Sequence, residues 1–350
     1  MTSVDEARKA IIQNLLKFGI RYDEQSKHLI ADNDRLVQKM LAELTNKSGV
    51  KYSRKSLRYF ARPDEINISS IEPEIRIVNS EELSQLWAFA TSYWSVPVTA
   101  GFGRRLRFLI FDRQNNKLIG LIGLSDPVIG LTVRDKMIGW NKDQRLERLY
   151  NCMTAYVLGA VPPYNKVLGG KLIALLAASP EIREWVYRKY YGTQTIISGQ
   201  QKEPHLVFID TLGAFGKSSI YNRLMLWHFG GYTKGQTHIH LTANGSWNII
   251  KEFIPEEEFK RYEYGQGPSW KIRVLKIGLR NLGFSANMMA IGWKRGYYFL
   301  PLAHNWREYL FGQTKSIEWK SFEREELVTY WKQRWVLPRI ERLQHNLAEK

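Results

Sequence analysis

Two segments near the N-terminus place apolar residues three and four apart: Ala10, Ile11, Leu15 and Leu16 within residues 4–18, and Leu36, Met40, Leu41 and Leu44 within 33–46. That spacing gives one apolar stripe on a helix, so two amphipathic helices are predicted. A basic, polar stretch from Asn46 to Lys55 reads as a linker after them. From Glu74 the period changes. Ile75 and Ile77 alternate around Arg76, the signature of a short strand, and Ser80-Glu81-Glu82 opens a helix whose face carries Leu83, Leu86, Trp87 and Ala90. Leu106 to Phe111 and Leu118 to Leu124 are apolar runs joined by the polar Asp112 to Lys117, which predicts a hairpin.

The segment from Ala155 to Ala177, AYVLGAVPPYNKVLGGKLIALLA, predicts a strand, a Pro-Pro break and a helix opened by Gly169-Gly170. Such a turn aims unpaired N–H groups and a helix dipole at one point, a place for a phosphate-sized anion. Beyond it the pattern predicts helices at Pro180–Tyr190 and Ser219–His228 and strands at His205–Ile209, Thr237–Leu241 and Gly296–Leu300. Residues 246–290 read as mainly helical, interrupted at Gly265 to Pro268. The element order implies an α+β layered protein. A helical appendage (1–60) precedes an αβ core (74–245) and a basic, aromatic-rich C-terminal region (246–350).

Charge sharpens this picture. The 350 residues carry a formal +17, of which residues 1–99 supply only +1. The excess belongs to the folded body, where it attracts polyanions. A single cysteine, Cys152, leaves no disulfide framework or cysteine-cluster zinc site and fits a reducing compartment. No apolar run approaches the roughly 20 residues that span a bilayer, and the N-terminus lacks a signal-peptide layout. The expectation is a cytoplasmic protein with no membrane partner, whose partner is nucleic acid, with DNA the leading expectation and RNA left open by the residues.

Several constellations offer chemistry. Arg104, Arg105 and Arg107 enter a strand, with Arg105 and Arg107 on one face and Arg104 on the other, and could track phosphates; an ordinary solvated sheet face is the alternative. Gly213 to Ser219 holds Gly-Lys-Ser but too few residues between its glycines for a nucleotide-hydrolysing loop. Lys217 and Arg223 remain candidates for a backbone phosphate. His238-Ile239-His240 on a strand has the form of a single-strand nuclease metal pair, with Tyr262 or Tyr264 as the tyrosine such enzymes need. Asp112 and Asp210 end strands and, with Glu252 or Glu256, could serve two-metal phosphoryl transfer. Trp319, Trp331 and Trp335 stand among Lys320, Lys332, Arg334 and Arg339, a mixture suited to stacked bases or to helix packing. The residues specify no cofactor and no metal set.

Arg104-Arg105-Leu106-Arg107, Ile138-Gly139-Trp140, the block Ala155 to Leu172, Ser218 to Arg223 and Tyr330 to Trp335 together resemble the DruA family of Druantia antiphage systems. The resemblance covers most of the chain from about residue 75. It implies a role in phage defence or in mobile elements, alongside other defence-system proteins. The strand–loop–helix is also similar to the acyl-CoA site of GNAT N-acetyltransferases, whose loop reads Gln/Arg-x-x-Gly-x-Gly/Ala. Lys166-Val167-Leu168-Gly169-Gly170-Lys171 overlays it, with lysine at the first position and at the last small one. The leading expectation is therefore a DNA-binding defence component on an acetyltransferase-like core. An acyl-CoA-dependent N-acyltransferase using Lys166, Gly169, Gly170 and Lys171, and a metal-dependent nuclease or transposase, are the alternatives.

Overall fold

A computed structural model describes residues 2–47, 54–99, 102–195, 199–234, 237–263 and 270–349. Most of the expected linker at 46–55 and the break at 265–268, with Tyr264, lie outside these residues. A small antiparallel hairpin, β1 (Ile20–Asp23) and β2 (His28–Ala31), stands apart from one seven-stranded sheet. The seven are β3 (Pro73–Ile77), β4 (Phe102–Asp112), β5 (Lys117–Asp126), β6 (Cys152–Ala160), β7 (Phe208–Leu212), β8 (His228–Lys234) and β9 (Lys294–Pro301). Their order across the sheet is β3-β4-β5-β6-β7-β9-β8, antiparallel throughout except for β6 and β7. The architecture is mixed α+β, as the period changes predicted.

The β6–β7 pair sets the geography. Only Cys152, Met153 and Thr154 find partners on β7, opposite Phe208, Ile209 and Asp210. Beyond Thr154, β6 continues against β5 while β7 continues against β9, so the two strands part. The gap between them is filled. The Thr211 hydroxyl donates to the Ala155 carbonyl (2.8 Å), and Trp227 Nε1 donates to the Ala174 carbonyl (2.8 Å). Tyr221 stacks at an angle on both Trp227 and Tyr298.

The Gly169–Leu176 helix lies on this side of the sheet and is buried around nearly its whole circumference. A helix apolar on every side belongs in a core. It approaches closely because β5 carries Gly120, where a Cβ would lie 2.8 Å from Ile173 Cγ1 and 2.3 Å from the Gly159 carbonyl. Helices Pro180–Tyr190, Arg324–Trp331 and Ile340–Ala348 complete that layer, burying Trp331, Trp335, Leu343 and Leu347. Helix Glu81–Thr91 covers the other face through Leu86, Trp87 and Ala90.

A second core joins the chain's beginning to a distant segment. Ala7, Ile11, Leu15, Val37 and Leu41 pack with Leu241, Ile250, Val274, Leu275 and Leu279. This core draws on residues from both sides of 245/246, and β9 sits within the main sheet. Two expectations about local structure are corrected. Residues 219–227 form turns instead of a helix, because Lys171 draws on carbonyls there and Arg223 adopts a left-handed φ of 63°. The segment predicted as a strand at Thr237–Leu241 is the start of a helix, Ile239–Thr242, which sends His240 and Leu241 into the second core. Among the described residues no helix is long and apolar enough to cross a membrane.

Candidate nucleic-acid interface

The outer edge of the sheet carries an aromatic and basic surface that the sequence pattern did not single out. β8 is the edge strand, and its residues are mostly exposed. Phe229 and Tyr232 are three residues apart, which in a regular strand would put them on opposite faces. A bulge at Gly230 re-aims them: Phe229 stands opposite Tyr298 and Gly231 opposite Tyr297. The two rings consequently meet edge to face at 5.0 Å on one face, exposed by 40% and 48%.

Cations frame that pair. Lys234 stands directly opposite Lys294 across the β8–β9 ladder, and Tyr232 opposite Gly296. Cross-strand partners share a face, so both lysines flank the aromatic rings. Gly213 to Gly216 crosses β9 beside them, its N–H groups bonding the Gly296 carbonyl (2.8 Å) and the Lys294 carbonyl (3.0 Å). The crossing demands glycine at 296, where a Cβ would lie 2.2 Å from the Gly216 carbonyl oxygen. It delivers Lys217, whose Nζ lies 5.5 Å from the Phe229 ring centre. None of Lys217, Lys234 and Lys294 forms an ion pair among the described residues. Like charges set opposite one another destabilise a ladder unless an anion joins them. Edge lysines also deter strand addition, but that role does not call for exposed rings.

The arginine triplet divides as alternation predicted, with different consequences. Arg104 is nearly buried. Its Nε pairs with Asp126 Oδ1 at 2.7 Å, one guanidinium nitrogen donates to the Tyr150 carbonyl at 2.7 Å, and the Tyr150 ring lies 3.8 Å away. It is committed to holding β4 and β5 to the segment before β6. Arg105 and Arg107 instead face a polar cavity of about 190 Å³ together with Lys189 and Ser84.

The Gly169–Gly170 turn is occupied by protein. Lys171 Nζ donates to the carbonyls of Ser219 (2.7 Å), Ile220 (3.1 Å) and Asn222 (3.0 Å), and lies 4.2 Å from the Trp335 ring centre. Burial, then Arg223 and Arg339, pull its pKa down to about 8. Trp331 Nε1 donates to the Leu168 carbonyl at 3.2 Å, and Lys166 Nζ reaches the Glu349 carbonyl at 2.5 Å. A Cβ on Gly169 would meet the Tyr164 carbonyl at 2.6 Å, and one on Gly170 would meet Ile220 at 3.6 Å. Lys171 thus staples three of the sequence blocks to one another. Trp331 and Trp335 are buried in that junction, so neither offers a ring to a base, whereas Arg223 and Arg334 are exposed.

The catalytic candidates do not converge. His240 is fully buried, its Nε2 2.7 Å from the Met288 carbonyl, and burial pushes its pKa down to about 4. That contact fixes the proton on Nε2. His238 caps the same short helix and touches Thr242, so the two imidazoles do not share a strand face. Asp112 builds the hairpin turn, accepting from Tyr164 Oη (2.8 Å), Gln114 Nε2 (2.6 Å) and the Glu72 amide (3.1 Å). Asp210 accepts from the Thr154 hydroxyl and from Tyr297 Oη, and burial raises its pKa. Asp112 is level with Lys117 on β5 and Asp210 with Ser125, at opposite ends of a strand. At 3.3 Å per residue that separates them by about 26 Å along the sheet. Among the described residues no group of three or more His, Cys, Asp or Glu gathers in a metal-holding arrangement.

Residues 23–312 match the family described as Druantia protein DruA. A Druantia protein DruA of Escherichia coli (strain UMEA 4076-1) is 38% identical over 295 residues, covering 81% of this chain and 73% of that protein. The chain belongs to the DruA family. The matched span includes the β8–β9 surface and the Arg105–Lys189 cavity and ends before Trp331 and Trp335. No solved structure matches the chain significantly.

Proposed function

We propose that this protein is the nucleic-acid-binding component of a Druantia antiphage defence system, and that it binds DNA with unpaired bases through the β8–β9 surface. The observation that carries the reading is the exposed Phe229–Tyr232 pair framed by Lys217, Lys234 and Lys294, none of them ion-paired among the described residues. Rings accept bases of any identity, and lysines follow the phosphates between them. Arg223 and Arg334, exposed on the same chain, extend the supply of cations. Family membership supports the defence role and the presence of partner proteins from the same system.

An acetyltransferase-like core is the fold reading that the parting of β6 and β7, followed by the Gly169–Gly170 helix, supports best. Acyl-CoA use draws no support from that turn, because the Lys171 ammonium is spent on the Ser219, Ile220 and Asn222 carbonyls and Trp331 packs against the turn through the Leu168 carbonyl. Fluorescence anisotropy with a labelled single strand and its duplex, titrated from 50 to 200 mM salt, tests the proposal. Tighter binding of the single strand, with affinity falling steeply with salt, is the expected result. Salt-insensitive binding, or equal affinity for the duplex, would contradict it.

A further inference from the structure

We propose that Arg105, Arg107 and Lys189 form a pocket for a phosphate monoester, separate from the β8–β9 surface. The cavity measures about 190 Å³ and is lined by Ile77, Val78, Ser84, Arg105, Arg107 and Lys189. Three cations share it, and none of them forms an ion pair among the described residues. Three positive groups converging on one small space without a counter-charge is an arrangement that an anion completes.

The positions of the cations are enforced by the protein. The Arg105 amide donates to Tyr190 Oη (2.6 Å), and that hydroxyl returns a bond to the Arg105 carbonyl (2.8 Å). Lys189 Nζ donates to the same carbonyl at 2.8 Å, which brings the ammonium to the cavity while two of its protons remain free to donate. The Arg107 guanidinium hydrogen-bonds the Tyr156 hydroxyl and lies 5.9 Å from the Trp87 ring centre, so it is held on its strand face. Arg105 Nε is buried and has no hydrogen-bond partner among the described residues, an unused donor beside the cavity. Burial and the neighbouring Arg107 lower the Lys189 pKa, in keeping with uncompensated positive charge.

Size and charge name the ligand class. Pockets for whole small molecules run from about 300 to 1,000 Å³, so this one is too small for a nucleotide and suits one phosphate group with a few waters. A phosphodiester in a strand carries a single charge, whereas a monoester carries roughly −1.5 to −2 at neutral pH. Three cations match the monoester. The shared chemistry has two sources: the phosphorylated end of a nucleic-acid strand, or a free mononucleotide whose base remains outside. The strand-end source rests on the nucleic-acid reading, and the free source does not.

Calorimetry with inorganic phosphate, adenosine monophosphate and adenosine, together with anisotropy of oligonucleotides ending in 5′-phosphate, 3′-phosphate or hydroxyl, tests the pocket. Phosphate and the monophosphate are expected to bind in competition, and adenosine is expected to stay silent. Lys189→Gln and Arg107→Gln should each weaken the monophosphate about tenfold or more, as loss of a charged hydrogen bond implies. Unchanged melting temperature in the exposed Lys189→Gln variant shows that the loss is local. Preference for a phosphorylated end assigns the strand, and monophosphate binding without that preference assigns the free nucleotide; either supports the pocket. Phe229→Ala with Tyr232→Ala should weaken strand binding by roughly 30-fold or more yet leave inorganic phosphate binding unchanged, which separates the two proposals. If no phosphate-bearing probe binds, or if both glutamine variants bind as the parent does, the pocket is overturned.

Discussion

Replacing Phe229 and Tyr232 together by alanine removes the rings from the β8 face and leaves every lysine in place. Stacking on an aromatic side chain is worth about 1–3 kcal/mol per base, so the pair accounts for about 2–6 kcal/mol, or roughly 30-fold to 10⁴-fold in affinity. The salt slope should not change, because no phosphate contact is lost. Replacing Lys217, Lys234 and Lys294 by glutamine does the converse. Each phosphate contact on a single strand contributes about 0.7 to the slope of log affinity against log salt, so three contribute about 2. Anisotropy titrations of the two variants and the parent at four salt concentrations separate the terms. The triple variant carries its own control for folding: removing the opposed Lys234 and Lys294 relieves a repulsion, so its melting temperature should hold or rise by about a degree. Affinity falling while stability holds is the outcome expected of a binding surface. A double-alanine variant that binds as tightly as the parent would refute the stacking argument, and an unchanged slope in the triple variant would refute the electrostatic one.

Three further outcomes follow from the interior. Lys171→Met keeps the aliphatic stem but strands the carbonyls of Ser219, Ile220 and Asn222; a loss of about 3 kcal/mol in urea denaturation is expected, and a loss below about 1 kcal/mol would contradict the staple. Arg104→Gln leaves the partly exposed Asp126 without its cation and should cost about 1–3 kcal/mol while leaving the salt slope of DNA binding unchanged; a shallower slope would place Arg104 among the phosphate contacts. His240 is held neutral, with its folded pKa pushed down to about 4, below the unfolded value near 6.5. Its stabilising contribution is therefore complete above about pH 6.5 and is lost as pH falls towards 4, by at most about 3 kcal/mol. Urea midpoints between pH 7.5 and 4.5 should fall less steeply for His240→Gln than for the parent, and parallel acid limbs would contradict the assignment.

The residues made some of this molecule legible and hid the rest for physical reasons. Long periodic segments declared themselves: helix Val4–Leu16, helix Asp34–Asn46, the β4–β5 hairpin and strand β9 lie where apolar spacing put them. The alternation that set Arg105 and Arg107 against Arg104 also survives in the fold, because a strand's period of two is local. What depends on distant partners was not legible. Thr237–Leu241 has a strand's alternation over only five residues, too short a run for periodicity to hold against tertiary packing, and the second core makes it helical through Leu241 and His240. Lys171 beside two glycines looks like a phosphate ligand until the Ser219–Asn222 carbonyls arrive from 48 to 51 residues away. The Phe229–Tyr232 pair is not legible in the sequence because its spacing of three does not mark a strand face. Only the bulge at Gly230 brings the rings together, and the Gly230-Gly231 pair was the one local hint.

Photo-crosslinking of a single-stranded oligonucleotide carrying halogenated pyrimidines, with the adducts mapped by mass spectrometry, tests the central claim most directly, since a base stacked on a ring reacts with that ring. Adducts on Phe229 and Tyr232, competed by unlabelled strand and weakened by added salt, are the predicted result. Adducts confined to other segments, with β8 unmodified at saturating oligonucleotide, would contradict it.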